Sequence, residues 1–227
     1  DRGYRDQLKK GLSAAVHAAL ANRTPGVIRH NSSKLPGWAF NRRFIMSNGT
    51  IETHPLKGNP HIVAAEGPDR DRLDVIWGEA PDGKMIGGGV IFGCHGTVME
   101  RDSTLICADF PGKAVDCLKR RFQVPFLYLQ GASGNICQVD VWNSASVECG
   151  IAHVEKMGCA IGEAAAQVIA TSPAAAATRW SVRRATVQLA RRASSPELLE
   201  WARKHVDSKV APTDLSNYGV ERFDREA

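Results

Sequence analysis

The stretch 87–140 constrains the fold more than any other part of this chain. It opens GGGVIFGCHGT, continues LICADFPG, passes through a short helical run and closes PFLYLQGASGN. The pattern is an apolar run followed by a polar tip, repeated along the stretch. Val90, Ile91 and Phe92 lead to His95; Leu105, Ile106 and Cys107 lead to Asp109; Phe126, Leu127, Tyr128 and Leu129 lead to Gln130 and a glycine turn. Short apolar runs rich in β-branched and aromatic residues, bounded by Gly and Pro, predict buried strands. Parallel strands with helices on both faces read as nearly continuous hydrophobic runs. In open α/β sheets, ligands bind beyond the carboxyl ends of the strands. His95, Asp109 and the loop 131–135 are therefore expected at one rim of a sheet.

The flanking sequence supplies the other layers. Tyr4, Leu8, Leu12, Val16 and Leu20 recur at every fourth position, which makes 4–21 a helix with one apolar stripe. Residues 25–70 lack regular periodicity, apart from a short strand at 27–29 and a hairpin signal at Asn48 and Gly49. Residues 73–77 and 85–92 read as the arms of a β-hairpin across Pro81, Asp82 and Gly83. Helices are predicted over 113–122 and 146–170. Gly150, Gly158 and Gly162 on the latter imply close packing, since Gly otherwise costs roughly 1 kcal/mol in a helix. SPAAAAT (172–178) reads as a linker and 180–189 as a half-exposed strand. Ser194, Ser195, Pro196 and Glu197 form a capping box that opens a helix to about residue 206. The order of elements predicts an α/β fold, a mixed, largely parallel sheet flanked by helices. It is expected as a single domain over 1–227, incomplete at both ends, with a loosely ordered tail from 207 to 227.

Composition excludes several function classes. A chain of 227 residues, 43% hydrophobic, can bury a large core. The net charge of +5 is mild and scattered; the pairs Arg183/Arg184 and Arg191/Arg192 carry no interleaved aromatics, so no nucleic-acid partner is expected. No stretch reaches the ~18 to 20 apolar residues of a transmembrane helix. Six cysteines are present without a CxxC pair, which argues against a zinc ribbon or a thioredoxin-type motif. Most lie in apolar runs and are expected as reduced thiols. Compartment and oligomeric state are not legible.

Three features could carry chemistry. His95, ending an apolar run, could bind a metal or serve as a hydrogen-bonded structural residue; no HxH or HExxH accompanies it. Asp109 stands where a strand gives way to a helix, as a ligand-facing carboxylate or as a cap. GASGN (131–135) places small residues after a strand, and its backbone amides could receive an oxyanion. It is neither a P-loop, since no Gly-Lys-Ser/Thr follows, nor a GxSxG elbow.

In combination, NRR (41–43), Asp74-Val75, FGCHGT (92–97), ADFPG (108–112) and QGASGN (130–135) resemble the neutral/alkaline ceramidase family, in particular its bacterial ceramidase-like members. The order and spacing of these motifs carry the resemblance. It implies a zinc amidase that cleaves an N-acyl bond, with a small-molecule or lipid-like amide as substrate. The family's Zn2+ is held by two His, a Glu and a Tyr. His95 matches the second His, while the other ligands belong to segments outside this chain. The resemblance also implies that Arg42, Asp109, Gly131 and Ser133 line the substrate site. One departure stands out. Where the family has a G-D-V-S-P-N run, this chain has Gly134-Asn135-Ile136-Cys137-Gln138-Val139, so Asn135 replaces the acid and Cys137 the serine with catalytic duty. A thiol in that place could be the nucleophile, or a zinc-bound water could attack while Cys137 stays inert. A non-catalytic relative that keeps the fold is the remaining alternative.

Overall fold

The computed structural model describes residues 2–99, 103–173, 181–190 and 193–207. In chain order the elements are α1 (Arg2–Ala21), β1 (Val27–Lys34), β2 (Phe40–Asn41), β3 (Arg43–Met46), β4 (Ile51–Thr53), β5 (Ile62–Ala65), β6 (Arg72–Glu79), β7 (Met85–Phe92), α2 (Asp109–Phe122), β8 (Phe126–Gln130), β9 (Ile136–Cys137), α3 (Gly150–Thr171) and α4 (Pro196–Asp207). They divide into two units, one of Asp1–Phe40, Asp69–Asp140 and Ala145–Thr178, the other of Asn41–Pro68, Val141–Ser144 and Arg179–Ala227.

The first unit is built on the predicted hairpin. β6 and β7 pair antiparallel, with Val75 opposite Val90 and Leu73 opposite Phe92. Between them the Ala80 amide donates to the Lys84 carbonyl, and Gly83 takes φ +82°, a conformation that favours glycine. β1 adds antiparallel to β6, and β8 adds parallel to β7, giving the order β1-β6-β7-β8. The sheet is mixed, as expected of an α/β fold, but not largely parallel: β1–β6 and β6–β7 are antiparallel, since a hairpin joins β6 to β7, and β7–β8 is the parallel pair.

Alternation along the strands sends Leu73, Val75, Trp77, Val90, Phe92 and Phe126 to one face, where all are buried. The amphipathic α2 and α3 cover this face, burying Phe110, Ala114, Leu118, Met157, Ile161 and Ala165. Phe110 meets Tyr128 edge-on, with ring centroids 5.7 Å apart. A Cβ at Gly158 would lie 2.8 Å from the Phe110 carbonyl oxygen, and one at Gly162 would lie 2.8 Å from Cys117 Cβ. The two helices thus approach as closely as the glycines of 146–170 foretold.

The second unit carries a three-stranded antiparallel sheet, β4-β3-β5, whose first turn falls at the expected Asn48-Gly49. Phe44 packs edge-on against Trp142, and Arg43 forms an ion pair with Glu66. α4 starts at Pro196 as the capping box requires, with Glu197 held below the usual carboxylate range, first by a hydrogen bond from Ser195.

Three further expectations need correction. The run Leu105, Ile106 and Cys107 is not a strand; residues 103–108 are irregular and Ile106 is wholly exposed. Three apolar residues without a neighbouring ladder do not hold an extended conformation. α3 begins at Gly150 rather than near 146: Cys149 is extended, the Gly150 amide donates to the Val98 carbonyl, and φ +81° at Gly150 turns the chain into the helix. Residues 181–190 are exposed and irregular, so their alternation reports polarity without a strand. The predicted tail beyond 207 and most of the linker lie outside the described residues.

Candidate functional site

The carboxyl ends of β7 and β8 bring two loops together. The Gly131 amide donates to the Phe92 carbonyl at 3.0 Å, and the Tyr128 hydroxyl donates to the same oxygen at 2.8 Å. Side chains are excluded at this crossing. A Cβ at Gly93 would sit 2.6 Å from the Ala132 carbonyl oxygen, and one at Gly131 would sit 3.0 Å from the Gly93 nitrogen. Glycine on both strands is what lets the 93–99 turn and the 131–135 loop leave the sheet side by side.

His95 is half-buried on the first of these loops, between buried Cys94 and exposed Gly96. Asp109 fixes the loop from the start of α2. Its Oδ2 accepts from the amides of Val98 and Met99, both at 2.9 Å, and its Oδ1 accepts from the Phe110 amide at 2.7 Å. The residue holds φ +54°, which Asp tolerates better than most side chains. Asp109 is thus a buried clamp on backbone amides, which favours the cap reading over a ligand-facing carboxylate. Gln138, which sequence reasoning passed over, clamps the same loop from the other side. Its Nε2 donates to the carbonyls of Thr97 and Glu148, each at 3.3 Å. Among the described residues its buried Oε1 has no hydrogen-bond partner. No periodicity announces such a residue; the only signal is a polar side chain directly after an apolar Ile136-Cys137 pair.

On the second loop, Ser133 is buried and its Oγ accepts from Gln130 Nε2 at 2.8 Å. The amides of Gly131 and Ile136 are committed to Phe92 and Ser133 carbonyls, so neither is an oxyanion donor. Asn135 is exposed. Cys137 is buried on β9, with its Sγ donating toward the Val139 carbonyl. It lies near Cys94, whose thiol is pushed up to about 12, first by burial, then by Cys137 and Asp109. Burial also raises the Tyr128 phenol. The Cys94 thiol and the Tyr128 phenol stay neutral at ordinary pH.

His95, Asp109, Gly131, Ser133, Asn135 and Cys137 therefore fall on elements that converge at one end of one sheet. Arg42 belongs to the second unit, where its Nη1 lies 3.5 Å from His54 Nε2. His95 is a single donor. Among the described residues no group of three or more His, Cys, Asp and Glu comes together to hold a metal, so the donor set here does not by itself make a zinc site. A cavity of about 390 Å³ lies at the opposite end of the sheet, against Arg29, Glu79, Pro81 and Gly83. There Glu79 is held below the usual carboxylate range: burial raises it, but hydrogen bonds from Trp77 and Arg29 outweigh that. The charges of that cavity neutralise each other.

Two solved structures are similar to this chain. A neutral ceramidase from Pseudomonas aeruginosa matches with a TM-score of 0.53 at 18% identity, over 71% of this chain and 25% of that one. A ceramidase complexed with C2 matches with a TM-score of 0.51 at 19% identity, over 67% and 23%. The chain thus has a ceramidase-like fold and spans about a quarter of the length of those proteins. No family model matches the chain, and no curated protein does.

Proposed function

We propose that this chain is the sheet-and-helix core of a hydrolase that cleaves an N-acyl amide bond, on a small-molecule or lipid-like substrate, in the manner of the ceramidases. The observation that carries the reading is the convergence of the His95 turn and the 131–135 loop at the β7–β8 rim of a ceramidase-like fold. Amide hydrolysis needs a polarised carbonyl, a positioned nucleophile and a proton for the leaving nitrogen. In this proposal His95 is one ligand of a zinc ion whose other donors lie outside this chain. Asp109 and Gln138 hold the His95 turn from two sides. Exposed Asn135 offers its amide to the substrate.

The thiol route has less support. Cys137 is buried, its thiol points at a carbonyl, and its near neighbour Cys94 is held protonated. A nucleophilic thiolate needs a base or a cation beside it. The test uses the full-length protein, an N-acylated fluorogenic amine and metal analysis. His95→Ala is expected to lower kcat/KM at least 100-fold and to release bound zinc, while Cys137→Ser retains activity within a few-fold. Full activity in His95→Ala would overturn the zinc reading; loss of activity in Cys137→Ser, with zinc retained, would establish the thiol route.

A further inference from the structure

Away from the rim, two cysteines face each other across the helical layer. Cys117 Sγ on α2 and Cys159 Sγ on α3 are 3.2 Å apart, inside ordinary sulfur–sulfur contact and outside a disulfide bond. Neither is fully buried. The approach is built into the packing: glycines at 158 and 162 bracket Cys159 and let α3 settle against Lys113, Ala114 and Cys117. A disulfide brings the two sulfurs to ~2.05 Å, a short step from the 3.2 Å contact already made. Each sulfur has charged neighbours of its own. Arg120 Nη2 donates to Cys117 Sγ at 3.4 Å. Lys113 lies near Cys159, paired with Glu155 at 2.9 Å, and Glu163 faces Cys159 from its own helix.

We propose that Cys117 and Cys159 form a reversible disulfide that is written by low-molecular-weight disulfides and erased by thiols. Cys117 Sγ, beside Arg120, gives its proton to water and attacks one sulfur of the small disulfide; that S–S bond breaks and one thiolate leaves, taking a proton from water. Cys159 then gives its proton to solvent and attacks Cys117 Sγ, expelling the second small thiolate. Two protein thiols and one small disulfide thus become one protein disulfide and two small thiols, with two electrons passing to the oxidant. The order follows from the site. The Cys159 thiol is raised, first by its hydrogen bond to Cys117, so it keeps its proton while Cys117 attacks. The closed loop runs from α2 through β8, β9 and the 131–138 segment to α3, so oxidation ties down both ends of the chain that carries Ser133, Cys137 and Gln138.

The experiment equilibrates the protein in glutathione buffers of stepped ratio, blocks remaining thiols with N-ethylmaleimide, and maps peptides by mass spectrometry. The expected result is a Cys117–Cys159 cross-linked peptide, a melting temperature higher by roughly 10 °C, and reversal of both by dithiothreitol. Exposed Cys107 and Cys149 can give only glutathione adducts, which the peptide map separates from the cross-link. Cys159→Ser is expected to accumulate the glutathione adduct on Cys117, and Cys117→Ser to leave Cys159 largely unmodified. Free thiols at both positions in the oxidised wild-type protein, or a cross-link to any other cysteine, would overturn the proposal. Equal adducts in the two variants would overturn the assignment of Cys117 as the attacking sulfur.

Discussion

The two faces of the four-stranded sheet come from the same strands and end in different environments. On the face under α2 and α3, Leu73, Val75, Val90 and Phe92 are fully buried. On the other face, Leu127 is 65% exposed, Leu129 43% and Ile28 47%, and Asp74 pairs with Arg72 and His30. α1 repeats the contrast. It has as regular an apolar stripe as α3, yet Tyr4, Leu8, Leu12, Val16 and Leu20 are all exposed. Burial is therefore set by what lies over a strand or helix, not by its own hydrophobicity.

Removing one large apolar side chain from each face tests this directly. Phe92→Ala is expected to cost about 3 to 5 kcal/mol, the transfer energy of the ring plus a cavity that rigid neighbours cannot close. Leu129→Ala is expected to cost less than about 1 kcal/mol, because the side chain gains little from folding where it stands. Urea unfolding read by tryptophan fluorescence measures both. Equal costs would break the comparison, since they would mean that the second face is covered in solution.

Two carboxylates extend the contrast to polar groups. Asp109 accepts three backbone amides in the covered layer and holds a left-handed conformation. Asp109→Ala leaves those donors without their acceptor and places a residue with a Cβ and no compensating bond at φ +54°; the expected cost is about 3 kcal/mol. Asp74→Ala removes only partly exposed ion pairs, and the expected change is under about 1 kcal/mol. Hydrogen exchange at the amides of Val98 and Met99 adds a local reading: it should accelerate in Asp109→Ala and stay unchanged in Asp74→Ala.

These cases show how far the chain was legible. The β6–β7 hairpin, α1, α3 and the start of α4 follow from turn residues, periodicity and a capping box, all of which act within a few residues. The helical glycines announced the α2–α3 contact because a glycine in a helix has a cost that only packing repays. The apolar runs misled in two ways. LICAD carries the same signal as VIF, yet among the described residues no ladder exists beside it. FLYLQ reads as buried on both faces, and only Phe126 is. An apolar run states that burial would be favourable; it cannot state whether a neighbour exists. At the rim, His95 and the glycine loop were visible as strand-end features. The clamps were less so: Asp109 was seen but its three amide partners were not, and Gln138 acts through carbonyls far away in sequence.

Glycine substitutions sharpen the helix comparison at a smaller scale. Gly162→Ala puts a methyl group 2.8 Å from Cys117 Cβ and 3.1 Å from the Ala114 carbonyl oxygen. The helices must part, at an expected cost of about 1 to 3 kcal/mol. A Cβ at Gly11 meets nothing within 4 Å, so Gly11→Ala is expected to stabilise by roughly 0.5 to 1 kcal/mol through helix propensity alone. Opposite signs from one chemical change, read in the same thermal melts, would confirm that α3 is packed and α1 is not. A loss of stability in Gly11→Ala would show that α1 has a neighbour.

The smallest effect is the pH dependence of the open face. Asp74 lies below the usual carboxylate range, first because Arg72 donates to it and then because His30 does, against an opposing contribution from burial. Its folded value being the lower one, the unfolded chain binds the proton more readily. The contribution is therefore complete above the unfolded value near about 3.9, and is lost as pH falls through the folded value. The acid limb of the stability curve should flatten slightly in Asp74→Asn, and 1 M salt should produce the same flattening in the unsubstituted protein, because the partly exposed partners are screened there. Cys94 and Tyr128 on the covered face offer no such lever, since both are raised and remain neutral across this range. An acid limb that ignored the substitution would mean that Asp74 gains nothing from its partners on folding; one that answered to the substitution but not to the salt would place the pair away from solvent, and the second face would then be as closed as the first.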